Sequence, residues 1–247
     1  YPSYFCSMKV LLKSVGVLFC LAIFYSCDSS SSKSKELSDF IPEEVSVVFK
    51  IKDFEALKSD LKNNGFLSQI KKTAPYSFFS NNILFKYLHP DSNSLLCVSS
   101  ISNKTQYTFI AKLKAGLFEL DSIPEKSIEN LSYKKHPLQL ITINEEQLYT
   151  TVKDSVFVAS SSKILIQNIL SGKSNQNPIF KKIQELNKNA DLTTIFPVNS
   201  ISINDSISVN LASWAALDVE VLPNALTASG VVLEQDSIPQ LLSVFKG

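Results

Sequence analysis

The chain predicts an α+β fold, with antiparallel meander sheets, helices packed on one side and two similar lobes over 39–120 and 121–247. Three observations carry this expectation. Short β-branched runs follow one another through 138–160 on brief connections, a meander rather than strand–helix alternation. Helix-start chemistry falls between the strand groups, at Asp53, at Ser161 or Ser162, and at Asn177-Pro178. Leu120-Asp121-Ser122-Ile123-Pro124-Glu125 is echoed by Gln235-Asp236-Ser237-Ile238-Pro239-Gln240, each after a hairpin-like strand pair. Helix-start preference alone also explains that echo.

The folded part is expected to begin near Asp39. Val45 to Ile51 is β-branched and apolar, hence a strand. Asp53 then caps a helix that brings Phe54, Leu57 and Leu61 onto one face, and Asn63-Asn64-Gly65 stops it. A second helical stretch runs from Tyr76 to Leu88. Leu95 to Ser100 and Tyr107 to Leu113 flank a polar loop at Asn103-Lys104 and read as a hairpin. The meander follows as Leu138–Ile143, Gln147–Val152 and Ser155–Ser160, joined by Asn144-Glu145-Glu146 and Lys153-Asp154. A helix through Ile164, Leu165, Ile169 and Leu170 closes at Gly172, and another opens at Asn177-Pro178. Leu192 to Val198 returns to strand. Leu217, Val219 and Val221 alternate with Asp218 and Glu220, which predicts one buried and one wet face. Pro223-Asn224 turns the chain into Leu226 to Leu233, and Asp236-Ser237-Ile238-Pro239 starts a last helix with Leu241, Leu242 and Phe245 on its apolar face.

Residues 1–7 read as translated upstream sequence. From Met8 a short basic head leads into a 12-residue apolar run, Ser14 to Tyr25. A membrane-spanning helix needs about 20 residues, so 8–26 is expected to be a secretory signal peptide. Ser26-Cys27 at its end, followed by Asp28 and a serine run, resembles the lipobox of bacterial lipoproteins. The resemblance implies that Cys27 is diacylated and becomes the mature first residue. Phe24 and Tyr25 are bulkier than the strict box and resemble the looser form of some Gram-negative lineages. Residues 27–38 are Ser- and Lys-rich, a flexible tether to the domain at 39–247. With Cys6 and Cys20 in the leader and Cys27 acylated, the mature domain keeps Cys97 and no internal disulfide.

The net charge is +1, from 24 basic and 23 acidic side chains, which removes the field a non-specific nucleic-acid binder uses. Every basic side chain is Lys, which disfavours bidentate recognition of phosphate or carboxylate. Six glycines leave little for phosphate-cradling loops. His89 and His136 each precede a Pro, with no second His or Cys at metal spacing, so neither metal nor cofactor is expected. No nucleophile elbow, zinc-protease or dinucleotide motif occurs in the sequence. Glu43-Glu44 and Glu145-Glu146, and the lysine pairs at 71–72, 134–135 and 181–182, read as solvated surface.

Two features are less ordinary. Tyr76, Phe78, Phe79, Phe85 and Tyr87 exceed what one helix face easily buries; they read as core, with an apolar groove for an acyl chain or partner helix as the second reading. Asp-Ser followed by Ile or Val recurs and marks Ser122, Ser155, Ser206 and Ser237. The pattern resembles the O-glycosylation sequon used on periplasmic proteins by some Gram-negative bacteria, and turn chemistry explains it equally.

Several stretches together resemble a family of uncharacterised envelope lipoproteins carrying a domain of unknown function, Gram-negative and bacteroidete-like. They are Ile41-Pro42-Glu43-Glu44-Val45, Val156 to Ser161, Asn177-Pro178-Ile179-Phe180, Trp214 to Leu233, and Asp236 to Lys246. The resemblance spans most of 39–247 and implies an α+β envelope domain, usually within a longer protein, so the chain is expected to continue past Gly247. It brings no catalytic residues. The expectation is a non-enzymatic binding or assembly module in the cell envelope, at the periplasmic or surface face of the outer membrane in preference to the inner membrane. Its partners would be the membrane, through the lipid on Cys27, and an envelope protein. The alternatives are an envelope hydrolase, or a lipid carrier using 76–87.

Overall fold

In the computed structural model the described residues are 35–69, 82–121, 123–186, 190–198, 201–204, 207–209 and 212–234. Cys27, Phe78, Phe79, Ser122, Ser206, Ser237, the leader and the helix expected after Asp236 lie outside them. The strands are β1 (Val45–Ile51), β2 (Ser94–Ile101), β3 (Lys104–Lys112), β4 (Lys126–Tyr133), β5 (His136–Ile143), β6 (Glu146–Lys153), β7 (Val156–Ser160), β8 (Leu192–Pro197), β9 (Ile201–Asn204), β10 (Ile207–Val209), β11 (Trp214–Leu222) and β12 (Ala225–Leu233). The helices are α1 (Phe54–Asn63), α2 (Gly65–Gln69), α3 (Ile83–Tyr87), α4 (Lys163–Leu170) and α5 (Pro178–Leu186), with a 3-10 turn at Leu37–Phe40. No helix among the described residues is long and apolar enough to cross a membrane.

Ten of the strands form one antiparallel sheet in the order β12-β11-β8-β1-β2-β3-β7-β6-β5-β4, and β9 and β10 form a separate pair. The fold is α+β, as expected, but its division differs. β1 lies between β2 and β8, and β3 pairs with β7, so 39–120 and 121–247 share one sheet rather than forming two lobes.

The helices also cover two faces of the sheet instead of one. Leu95, Cys97, Ile110, Val156, Val158 and Ile195 pack with Ile166 and Ile169 of α4 and Phe180 and Ile183 of α5. Leu96, Phe109, Phe157 and Ala159 pack with Phe54 and Leu57 of α1 and with Ile83, Leu84 and Phe85 of α3. Successive strand residues point to opposite faces, so these two clusters sit on opposite sides. A strand buried on both sides reads as a continuous apolar run, which is what Leu95-Leu96-Cys97-Val98 and Val156 to Ala159 are. Local sequence gives such a run no preferred side, hence the one-sided expectation. β11 departs from simple alternation for the same reason: Trp214, Ala215 and Ala216 are all buried, and Trp214 packs on Phe180 of α5 at 4.8 Å between ring centroids.

Four of the two-residue hairpins of this sheet turn on left-handed residues without glycine. Ser102-Asn103, Lys134-Lys135, Asn144-Glu145 and Asp154-Ser155 all have positive φ, between 46° and 70°, the pattern of a type I′ turn matched to strand twist. Each non-glycine residue there strains against its own Cβ. Asn64, expected only to end α1, does more. Its side-chain oxygen accepts from Leu67 N–H at 2.7 Å, starting α2, and its amide donates to the carbonyls of Leu222 and Ala225 across the β11–β12 turn.

Glu145→Gly relieves one of these strained, exposed turn positions. It should raise the free energy of unfolding by about 1 kcal/mol, the left-handed penalty less the entropy of glycine. Urea denaturation would measure it, and a lower midpoint would show that the turn is not under backbone strain.

Candidate functional site

On the face covered by α5, the sheet leaves an open groove of about 730 Å³. Its floor is the end of β1 (Lys50 to Lys52), the start of β2 near Leu95, and Thr193 of β8. One wall is the 3-10 segment Glu36 to Asp39. The other is α5, through Lys181, Gln184 and Glu185, with Ser174 to Gln176 at the rim. Local chemistry holds each wall. Glu36 and Asp39 cap the 3-10 turn reciprocally, Glu36 N–H donating to Asp39 Oδ2 at 3.0 Å. Asn177 Oδ1 accepts from the N–H groups of Ile179 and Phe180 at 2.9 and 3.2 Å, which starts α5. Asn175 N–H donates to Ile41 O at 2.9 Å and ties the rim to the end of the 3-10 wall.

The lining residues are mostly of polar type and balanced in charge. Lys50, Lys52 and Lys181 line it together with Glu36, Asp39 and Glu185 and with the amides of Asn93, Asn175, Gln176 and Gln184. Lys50 Nζ donates to Gln184 O at 3.4 Å, Lys181 Nζ to Gln176 Oε1 at 2.8 Å, and Lys52 pairs with Asp191 at 3.6 Å. Thr193 hydroxyl donates to Asp218 Oδ1 at 2.7 Å and fixes the floor. Such a lining can offer donors and acceptors to an extended polar chain bearing both charges. Sequence reasoning missed it because its residues come from six separate segments and none of them is unusual locally.

The residues singled out from sequence lie elsewhere. Phe85 is buried at 6% exposure and stacks on Phe54 at 5.2 Å, so it packs in the core; Tyr87 is half-buried against the same cluster. Ser155 is exposed in the β6–β7 turn. Cys97 is fully buried, and burial pushes its thiol well above the ordinary cysteine range, which makes it a poor nucleophile. His89 Nδ1 lies 3.0 Å from Glu55 Oε1, a loop-to-helix contact. Among the described residues no group of three or more His, Cys, Asp or Glu side chains could hold a metal.

Serines of the β3–β7 seam are structural. Thr108 hydroxyl donates to Ser160 Oγ at 2.9 Å, Ser160 hydroxyl to Tyr107 O at 2.9 Å, and Ser161 hydroxyl to Gln106 Oε1 at 2.7 Å. Ser171 differs. Its Oγ lies 3.2 Å from Tyr133 OH and accepts from Lys134 Nζ at 3.4 Å, which joins the β4–β5 turn to the end of α4. The contact to Ser171 holds the Tyr133 phenol below the usual tyrosine range, with the nearby Lys134 and Lys173 charges acting in the same sense.

In an ultraviolet pH titration Tyr133 should therefore ionise before an ordinary exposed tyrosine. Ser171→Ala should move its midpoint upward, whereas an unchanged midpoint would show that the hydroxyl contact is not made in solution.

No protein-family model and no curated protein matches the chain. Among solved structures, the chain matches two crystal forms of TP0453. Crystal form III has a TM-score of 0.44 and 9% identity over 82% of each chain. Crystal form I has a TM-score of 0.46 and 8% identity, covering 86% of this chain and 84% of that one.

Proposed function

We propose that the protein is a lipid-anchored envelope module that binds an extended, mixed-charge polar ligand, a peptide segment of an envelope partner, in the groove beside α5. The observation that carries the binding reading is the groove itself: three lysines, three carboxylates and four side-chain amides around a floor of central strands. A peptide backbone satisfies amide donors and acceptors in turn, and its own charges can pair with the lysines and carboxylates of the lining. The anchor reading rests on the leader over 8–26 and on Cys27 after it. The exposed Asp154-Ser155 turn is, on the same reading, a surface that an envelope O-glycosylation system could modify; a native mass above the acylated polypeptide, reduced by Ser155→Ala, would support that.

Two measurements test the proposal. Cys27→Ala should abolish labelling by a clickable fatty acid and release the protein from membranes; persistent labelling would remove the anchor. Titration with N-acetylated hexapeptides carrying one Lys and one Asp should move the amide resonances of Lys52, Asn93 and Asn175. Lys181→Glu should weaken that binding about tenfold, the loss of one charge contact. Shifts that fall elsewhere, or none at millimolar peptide, would end the peptide-binding reading.

A further inference from the structure

The two outer strands of the large sheet are built differently. β4 carries Lys126 and Glu129 along its length, the usual protection of a free edge. β12 reads Ala-Leu-Thr-Ala-Ser-Gly-Val-Val-Leu over Ala225–Leu233, with no charge and no proline. Among the described residues it has one strand neighbour, β11, and it exposes Leu226, Val231 and Val232 at 41%, 38% and 44%. Long, flat, uncharged edges of this kind recruit another strand.

The register shows which strand fits. Leu222 and Ala225 close a two-residue hairpin and are paired, so odd-numbered residues of β12 point their backbone N–H and C=O at β11. Leu226, Ala228, Gly230 and Val232 therefore present theirs to the free edge. We infer that β12 pairs antiparallel with β12 of a second copy, about a two-fold axis at Ser229. That register sets Leu226 opposite Val232 and Ala228 opposite Gly230, so all four outward-facing residues meet one another and both reciprocal pairs are satisfied. It places Leu226 and Val232 together on one face, and Thr227 against Val231 on the other, with no charge brought near its like. At Gly230 the backbone of β12 lies so close to Ala216 of β11 that an added Cβ would strike it, so glycine keeps the strand in line at the point where the partner strand must pass. The interface is isologous, as a two-fold dimer requires. A single strand pair falls in the class below about 1,200 Å², so the association is weak and is read best by covalent capture.

A directly opposed, non-hydrogen-bonded pair has Cα atoms about 4.5 Å apart, within disulfide reach, so Ser229→Cys should link to itself. Cells expressing the full chain are treated with a mild oxidant, with the unsubstituted chain setting the background. Ser229→Cys should give a reducible dimer well above that background. Thr227→Cys and Val231→Cys should each stay at background alone and link when co-expressed. Adding Val232→Lys to Ser229→Cys should abolish the link with an unchanged melting transition. A Ser229→Cys chain at background, self-linking of Thr227→Cys as strong as that of Ser229→Cys, or a link that survives the lysine would each overturn the dimer.

Discussion

β1 is hydrogen-bonded along both edges, and the architecture depends on that double pairing. Val48 to Ile51 face Cys97 to Ser94 of β2 on one side and Ile195 to Leu192 of β8 on the other. The first pairing closes a loop through α1 to α3; the second closes one through the whole meander and α5. Non-local closure carries an entropic cost that local turns avoid, so the two pairings must be repaid by burial. The residues match that demand: Val48 and Ile51 are 0% and 2% exposed, and they belong to opposite core clusters. One seven-residue strand thus feeds both cores and joins the two parts of the sheet.

The groove follows from where β1 ends. After Ile51 the chain leaves toward Asp53, whose carboxylate accepts from Ala56 N–H at 2.9 Å, and α1 departs onto the opposite face. The end of β1 is therefore left uncovered on the α5 side, and the 3-10 segment and α5 stand on either side of it. Lys50 illustrates the result. Its neighbours Val48 and Ile195 are core, yet its own position lies past the covered zone, where it reaches Gln184 O of α5. The same residues that place β1 in the sheet centre thus place polar groups on the groove floor.

Sequence reading located the elements whose chemistry is local. Asp53 does cap α1, Asn177-Pro178 does start α5, and the meander from 138 to 160 lies in strands where expected. Three things were beyond it. β4 was missed because an edge strand is wetted on its free side, and Lys126-Ser127-Ile128-Glu129-Asn130 lacks the apolar content that marks a buried strand. The two-sided covering was missed because a run such as Val156 to Ala159 carries no information about which helices lie on which face. The groove was missed because Glu36, Lys50, Asn93, Asn175 and Lys181 become neighbours only through the β1–β2–β8 pairing. The aromatic segment shows the converse: Phe85 is conspicuous in sequence and packs as ordinary core against Phe54.

Native-state hydrogen exchange over increasing urea tests the central claim, that β1 makes the ten strands one cooperative unit. The slowest amides of β2, β3 and β7 on one side of β1, and of β8 and β11 on the other, should merge with those of β1 onto one opening free energy and one urea slope. If β8 and β11 instead opened with a lower slope while β2, β3 and β7 stayed protected, the sheet would be two units in contact, and β1 would not be its keystone.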